Sequence, residues 1–170
     1  PADRLDVRLH KAKHALRQRD AEKALIPLER VTAQDVGNIS AWAFTDICWR
    51  LLGDDRQHWL HGQPGLYGTQ QLELDEAELL HIADWLRAAH GSMAQPLGQS
   101  LRGGTQTRGR IFVRTAPEIQ SLKQAVEQSV NSHRDGMPAY DATHPLLRHR
   151  KARPKFDGSW SVRLTSAGFH

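Results

Sequence analysis

Ten histidines, one cysteine and a glycine pair are the residues of this chain with the most chemistry to offer. His10 and His14 stand four residues apart, which a helix brings to one face. A zinc site needs at least a third ligand, and the His-Glu-x-x-His pattern of a catalytic helix is absent, so the spacing predicts a solvated helix face. His58 and His61 flank Trp59 at a helix end, where positive character suits the helix dipole. His81 and His90 read as helix-packing or helix-end residues, while His133, His144 and His149 fall in loops without ligand spacing. Cys48 lies among apolar helix residues and reads as an inert core thiol. Gly103-Gly104 could cradle an anion with backbone N–H groups. The Gly-x-x-x-x-Gly-Lys pattern is missing, however, and a turn or bulge is the simpler expectation. No Ser-His-Asp set can be assembled.

The elements that must position these residues divide into a helical front and a mixed rear. Leu5, Leu9, Ala12, Ala15 and Leu16 fall at helical spacing, as do Ala21, Ala24, Leu25, Leu28 and Val31. The short link at Arg19-Asp20 favours an antiparallel pair. A third helix starts after Asn38 or Ser40, carries Trp42, Ile47, Trp49, Leu51 and Leu52, and ends near Gly53-Asp54. An offset of 34 residues aligns Ala15 with Trp49, Arg19 with Gly53 and Asp20 with Asp54, and that is the period of tetratricopeptide repeats. Asp46 and His58 stand where such repeats usually carry small residues. After the turn-rich Gln63-Pro64-Gly65-Leu66-Tyr67-Gly68, Asp75-Glu76-Ala77-Glu78 has capping-box spacing and opens a helix to about His90, stopped by Gly91.

The rear begins near Gly91–Pro96. Gln99 to Thr107 reads as a polar, glycine-bearing loop and Arg110-Ile111-Phe112-Val113 as a short strand. Thr115-Ala116-Pro117-Glu118 opens a helix to about Asn131, with Ile119, Leu122, Ala125, Val126 and Val130 on one stripe. Arg134 to Pro138 reads as a turn. In the last segment Trp160, Val162 and Leu164 alternate with Ser159, Ser161 and Arg163. A further turn and the start of another strand follow. A strand pattern without a following partner, together with Pro1 in place of Met, leads to the expectation of a piece of a longer protein.

Composition adds bounds. The chain of 170 residues is 39% hydrophobic and 25% charged, ordinary for globular proteins. No apolar run is long enough to span a membrane, and a single cysteine fits a reducing, cytoplasmic setting. Residues 1–100 carry a net charge of −3 and residues 101–170 a net of +7. The basic run Arg148, Arg150, Lys151, Arg153, Lys155 lacks interleaved aromatics or a reading helix. It reads as a solvated loop, with an anionic partner as the alternative; nucleic acid is the least favoured partner.

Three segments taken together resemble the 2-oxoglutarate- and Fe(II)-dependent oxygenases, more closely bacterial members with a tetratricopeptide-like front. They are Gln99-Ser100-Leu101-Arg102-Gly103-Gly104-Thr105-Gln106-Thr107, His144-Pro145-Leu146-Leu147-Arg148, and Gly158-Ser159-Trp160-Ser161-Val162-Arg163-Leu164 with Gly168-Phe169-His170. The resemblance covers residues 92–170 well and the front loosely. It implies an α+β chain: an antiparallel, tetratricopeptide-like helical region over residues 1–91, then the beginning of a double-stranded β-helix, or jelly roll, over residues 92–170. It also implies a dioxygenase as the full-length parent, using Fe(II) and 2-oxoglutarate to hydroxylate an unknown substrate, such as a peptide or protein. The iron ligands would follow His170 in a His-x-His or His-x-Asp pattern. This chain is therefore expected to hold no iron and to be inactive, and His170, just before that motif, takes no ligand role. Arg102, Gln106, Thr107, Arg163 and His170 become candidates for the surroundings of substrate or cosubstrate, with barrel closure as the plain alternative. The competing expectation is a non-catalytic helical-repeat module that grips a protein partner.

Overall fold

The computed structural model describes residues 4–91 and 100–169. Residues 92–99, where the front-to-rear boundary was expected, and His170 lie outside the described residues. The chain is α+β, with helices and one two-stranded antiparallel sheet. By its packing it forms two units: Pro1–Gly68 with Arg134–Ala152, and Thr69–His133 with Arg153–His170. Each is built from two stretches of sequence, which differs from a single split at residues 91 and 92. Among the described residues no helix is long and apolar enough to cross a membrane.

The first unit is built on α1 (Leu5–Arg17), α2 (Ala21–Gln34), α3 (Ile39–Leu52) and the short α4 (Arg56–Leu60). Small side chains at the crossings let these helices approach closely. Ala12, Ala15, Ala21, Ala24 and Ala41 are buried around Leu28, Val31 and Cys48, with Leu9, Leu16 and Phe44 closing the edge. The 34-residue offset is present in the backbone itself. Arg19 has φ 62 and Gly53 φ 67, and the next residue in each case closes back on its helix, Asp20 N–H to Ala15 O at 3.0 Å and Asp54 N–H to Trp49 O at 2.8 Å. These are two Schellman-type helix ends one period apart. Asp20 and Asn38 cap the helices that follow, accepting from Lys23 N and Ala41 N.

The two ends differ in one residue that matters. Gly53 adopts the left-handed conformation freely, whereas Arg19 adopts it against the clash of its Cβ. The Arg19 side chain is exposed and makes no hydrogen bond or ion pair among the described residues to set against that strain. Arg19→Gly is therefore expected to stabilise the first unit by about 0.5–1 kcal/mol, after allowing for glycine's greater freedom when unfolded. A lower urea midpoint for the variant would contradict this.

The 34-residue likeness stops at α4, which is five residues long where α2 has fourteen. Residues 141–147 stand in for the missing turns. The Asp141 carboxylate accepts from the Trp59 indole N–H at 2.9 Å, and from the Thr143 backbone and hydroxyl at 2.8 and 2.6 Å. The Thr143 hydroxyl first, then Trp59, hold the Asp141 carboxyl down to about 2. A lowered carboxyl contributes stability above its ordinary value near 3.8, lost as pH falls toward 2. Trp59 packs edge-on against His144 at 4.9 Å and beside Trp42 at 5.8 Å.

The second unit holds α5 (Glu76–His90), β1 (Arg102–Gln106), β2 (Val162–Phe169) and the body of α6 (Pro117–Gly136). The capping box expected at Asp75 is formed in both directions. Its Glu78 also accepts from Ser121 on α6 at 3.0 Å, so one carboxylate closes a helix start and ties two helices. Leu101, Ile111, Ile119, Ala125 and Ile82 are the buried apolar residues of this unit.

Four readings change here. The polar loop expected over residues 99–107 is a strand from Arg102 to Gln106. The strand expected at residues 110–113 is a single 3-10 turn, Ile111–Val113. Two of its N–H groups reach the segment leading into β2, Ile111 to Ser159 O at 2.8 Å and Phe112 to Ser159 Oγ at 3.0 Å. Helix α6 runs through Gly136 instead of stopping at Asn131, so the turn placed at Arg134 begins inside it. The turn expected after the Trp160–Leu164 alternation is a bulge within one strand: Arg102 pairs with Phe169 and Gly104 with Leu164, leaving residues 165–168 opposite Gly103 alone.

Candidate functional site

The ribbon of β1 and β2 gathers the residues singled out by sequence and joins two segments about sixty residues apart. Its closest point is a glycine-on-glycine contact. Gly103 has φ 60, and a Cβ there would lie 2.9 Å from Gly168 Cα. A Cβ on Gly168 would fall inside the Gly103 carbonyl oxygen. The bulge reading of Gly103 thus holds, and its physical reason is backbone approach. Thr165 Oγ1 donates to the Gly103 carbonyl at 2.6 Å and fixes the bulged residues.

Pairing and pleat distribute the candidates over two faces. Thr105 pairs with Arg163 and Gln106 with Val162, and neighbouring residues on a strand point to opposite faces. Arg163 therefore shares a face with Thr105, and Gln106 lies on the other face with Val162. Thr107 is buried, and its hydroxyl accepts from Ser161 N–H at 2.9 Å while its own N–H reaches Ser161 O at 3.0 Å. That hydroxyl extends the ribbon. Arg102 is exposed, and its guanidinium donates to Leu101 O at 2.8 Å. Gln106 Oε1 is buried without a hydrogen-bond partner among the described residues, so among the described candidates it has an acceptor to offer. His170 lies outside the described residues.

The residue that sequence reading undervalued is His90. The last residue of α5 is buried against the ribbon, with Nδ1 at 2.9 Å from Thr105 Oγ1 and Nε2 at 3.0 Å from Ser161 Oγ. One imidazole thereby joins a helix end to both strands. Nothing local marks it, since a histidine at a helix terminus is commonplace. The Ser161–His90 pair has the spacing of a nucleophile and its base. The third partner, though, is a hydroxyl and not an orienting carboxylate, and the groove of this unit beside Phe112 and Phe156 is lined by other residues. The arrangement works as a clasp.

Burial first, and the Arg163 charge second, push the His90 pKa below its ordinary 6.5. The folded chain therefore resists taking a proton that the unfolded chain accepts. The clasp's stabilisation is complete above about pH 6.5 and declines as pH falls below it. In an NMR titration the His90 ring should turn over below 6.5, and Arg163→Gln should bring it closer to 6.5. A His90 midpoint above 6.5 would refute the clasp.

Other sequence candidates sit apart. His61 Nδ1 contacts Asp46 Oδ1 at 2.6 Å in the first unit. Cys48 is buried and burial raises its pKa, as suits an inert thiol. Among the described residues no three His, Cys, Asp or Glu side chains converge as a metal ion requires. No family model, curated protein or solved structure matches the chain.

Proposed function

We propose that this chain is the helical front and the opening strands of a 2-oxoglutarate- and Fe(II)-dependent oxygenase that hydroxylates a peptide or protein. In this reading the first unit is tetratricopeptide-like and the β1–β2 ribbon belongs to a jelly roll. One observation supports it above the others. Two segments of the resemblance, residues 99–107 and residues 158–164 with 168–170, pair through their described residues in one ribbon, and Gly103 and Gly168 meet at its tightest point. Residues that merely happened to look familiar would have no reason to be partners.

The described residues do not fit an iron centre, since no ligating trio is present among them. Their part is to build and close the ribbon. Arg163 and the unpartnered Gln106 Oε1 are the side chains we assign to the surroundings of cosubstrate or substrate. The proposed setting is cytoplasmic.

The test is expression of the natural reading frame containing this sequence, supplied with Fe(II), ascorbate and 2-oxoglutarate. Succinate formation by that protein, and none by the 170-residue chain, is the expected result. A natural-length protein that leaves 2-oxoglutarate untouched would overturn the proposal. It would favour the second reading, a non-catalytic helical-repeat module, for which the twin Schellman ends 34 residues apart in α1 and α3 speak.

A further inference from the structure

The second unit carries a groove of about 500 Å³, within the range of ligand sites. Its floor is apolar. Phe112 and Phe156 meet edge to face with ring centres 4.7 Å apart, and Val130 of α6 lies beside them, 40% exposed. Its rim is cationic: Arg110, Lys123, Arg153 and Lys155 against the single carboxylate of Glu127. That carboxylate already has a partner in Lys123, at 3.9 Å. Arg110, Arg153 and Lys155 are exposed and have no ion-pair partner among the described residues. The basic run read from sequence as a solvated loop therefore contributes two of its charges to a shaped surface.

We infer that this groove binds an acidic peptide segment through one apolar anchor side chain. Three uncompensated cations around an apolar floor call for an occupant that is anionic at its flanks and apolar at its centre. A small inorganic anion would leave the floor wet. The inference stands on this groove alone and does not rest on the oxygenase reading.

The experiment is fluorescence polarisation of the full chain with a labelled peptide, Glu-Asp-Leu-Phe-Asp-Glu, at low and high salt. Saturable binding that weakens as salt rises is expected. Replacing its Leu-Phe by Ser-Ser, or its acids by amides, should each weaken binding about tenfold or more. Arg153→Glu with Lys155→Glu should do the same, and so should Val130→Glu, which puts a carboxylate on the floor. All three positions are exposed, so circular dichroism should show the fold unchanged. Arg108→Glu is the control, because Arg108 is exposed and outside the groove, and it should leave affinity as it was. No saturable binding, or an Arg108→Glu loss equal to the groove variants, would overturn the inference. Tighter binding of dodecathymidylate than of the peptide would also overturn it, in favour of nucleic acid.

Discussion

Gly168→Ala should cost the second unit about 3 kcal/mol, the upper end of what overpacking ordinarily costs. The added Cβ would land on the Gly103 carbonyl oxygen, 2.9 Å from the Gly103 carbonyl carbon and 3.1 Å from Arg102 O. All three atoms are backbone, so no rotamer change can relieve the contact. The strands would have to part where Gly103 and the bulge hold them together, and the Thr165 hydrogen bond to Gly103 O would go with them. Gly109→Ala supplies the contrast. Gly109 also has a positive φ, 69°, but a Cβ there meets nothing within 4 Å. Its cost should be only the left-handed strain, about 1 kcal/mol. Urea unfolding and amide exchange at Thr105 and Arg163 would measure both. Equal losses in the two variants would mean that the glycine-on-glycine contact carries no weight.

That contact also shows why the helices were legible in the sequence and the ribbon was not. Helix periodicity and capping are local, so Asn38 and Asp75 announced their helices within three or four residues. Arg102-Gly103-Gly104-Thr105-Gln106 has no apolar alternation. It is a strand because a partner some sixty residues later bonds to it, and no local pattern encodes that. Ile111-Phe112-Val113 erred in the opposite direction. Its β-branched and aromatic residues read as a strand, yet its ribbon bonds are limited to two donors, Ile111 N–H and Phe112 N–H, both to Ser159. Helix α6 outran its apolar stripe because the turns after Val130 are solvated, and periodicity reports only the buried part of a helix. The candidate site was legible in the same uneven way. The segments carrying Arg163 and Thr107 were found, but their division between two faces follows from register, and the clasp role of His90 from packing.

The same limit explains the largest effect expected in the first unit, at His144, which sequence left in a loop. The residue is 1% exposed and satisfies three backbone groups. Its Nε2 lies 2.9 Å from Leu60 O, and its Nδ1 accepts from the N–H groups of Leu146 and Leu147, each at 3.1 Å. Two donors on Nδ1 require that nitrogen to be bare, so the proton sits on Nε2 and is given to the end of α4. A single ring thus satisfies the last carbonyl of a truncated helix and the first N–H groups of the 3-10 turn Leu147–His149. His144→Ala would orphan all three groups and open a hole beside Trp59, a loss of about 4 kcal/mol. His144→Phe keeps a ring against Trp59 and removes only the nitrogens, so it should still cost about 2–3 kcal/mol. Amide exchange at Leu146 and Leu147 should quicken in both variants, since each loses the acceptor for those N–H groups. If His144→Phe were as stable as the parent chain, Trp59 packing alone would hold this region, and the imidazole would be filler. The hydrogen bonds predict the reverse, because the Leu147 N–H would be left unpaired in a buried site, beside the part-buried Leu60 carbonyl and Leu146 N–H.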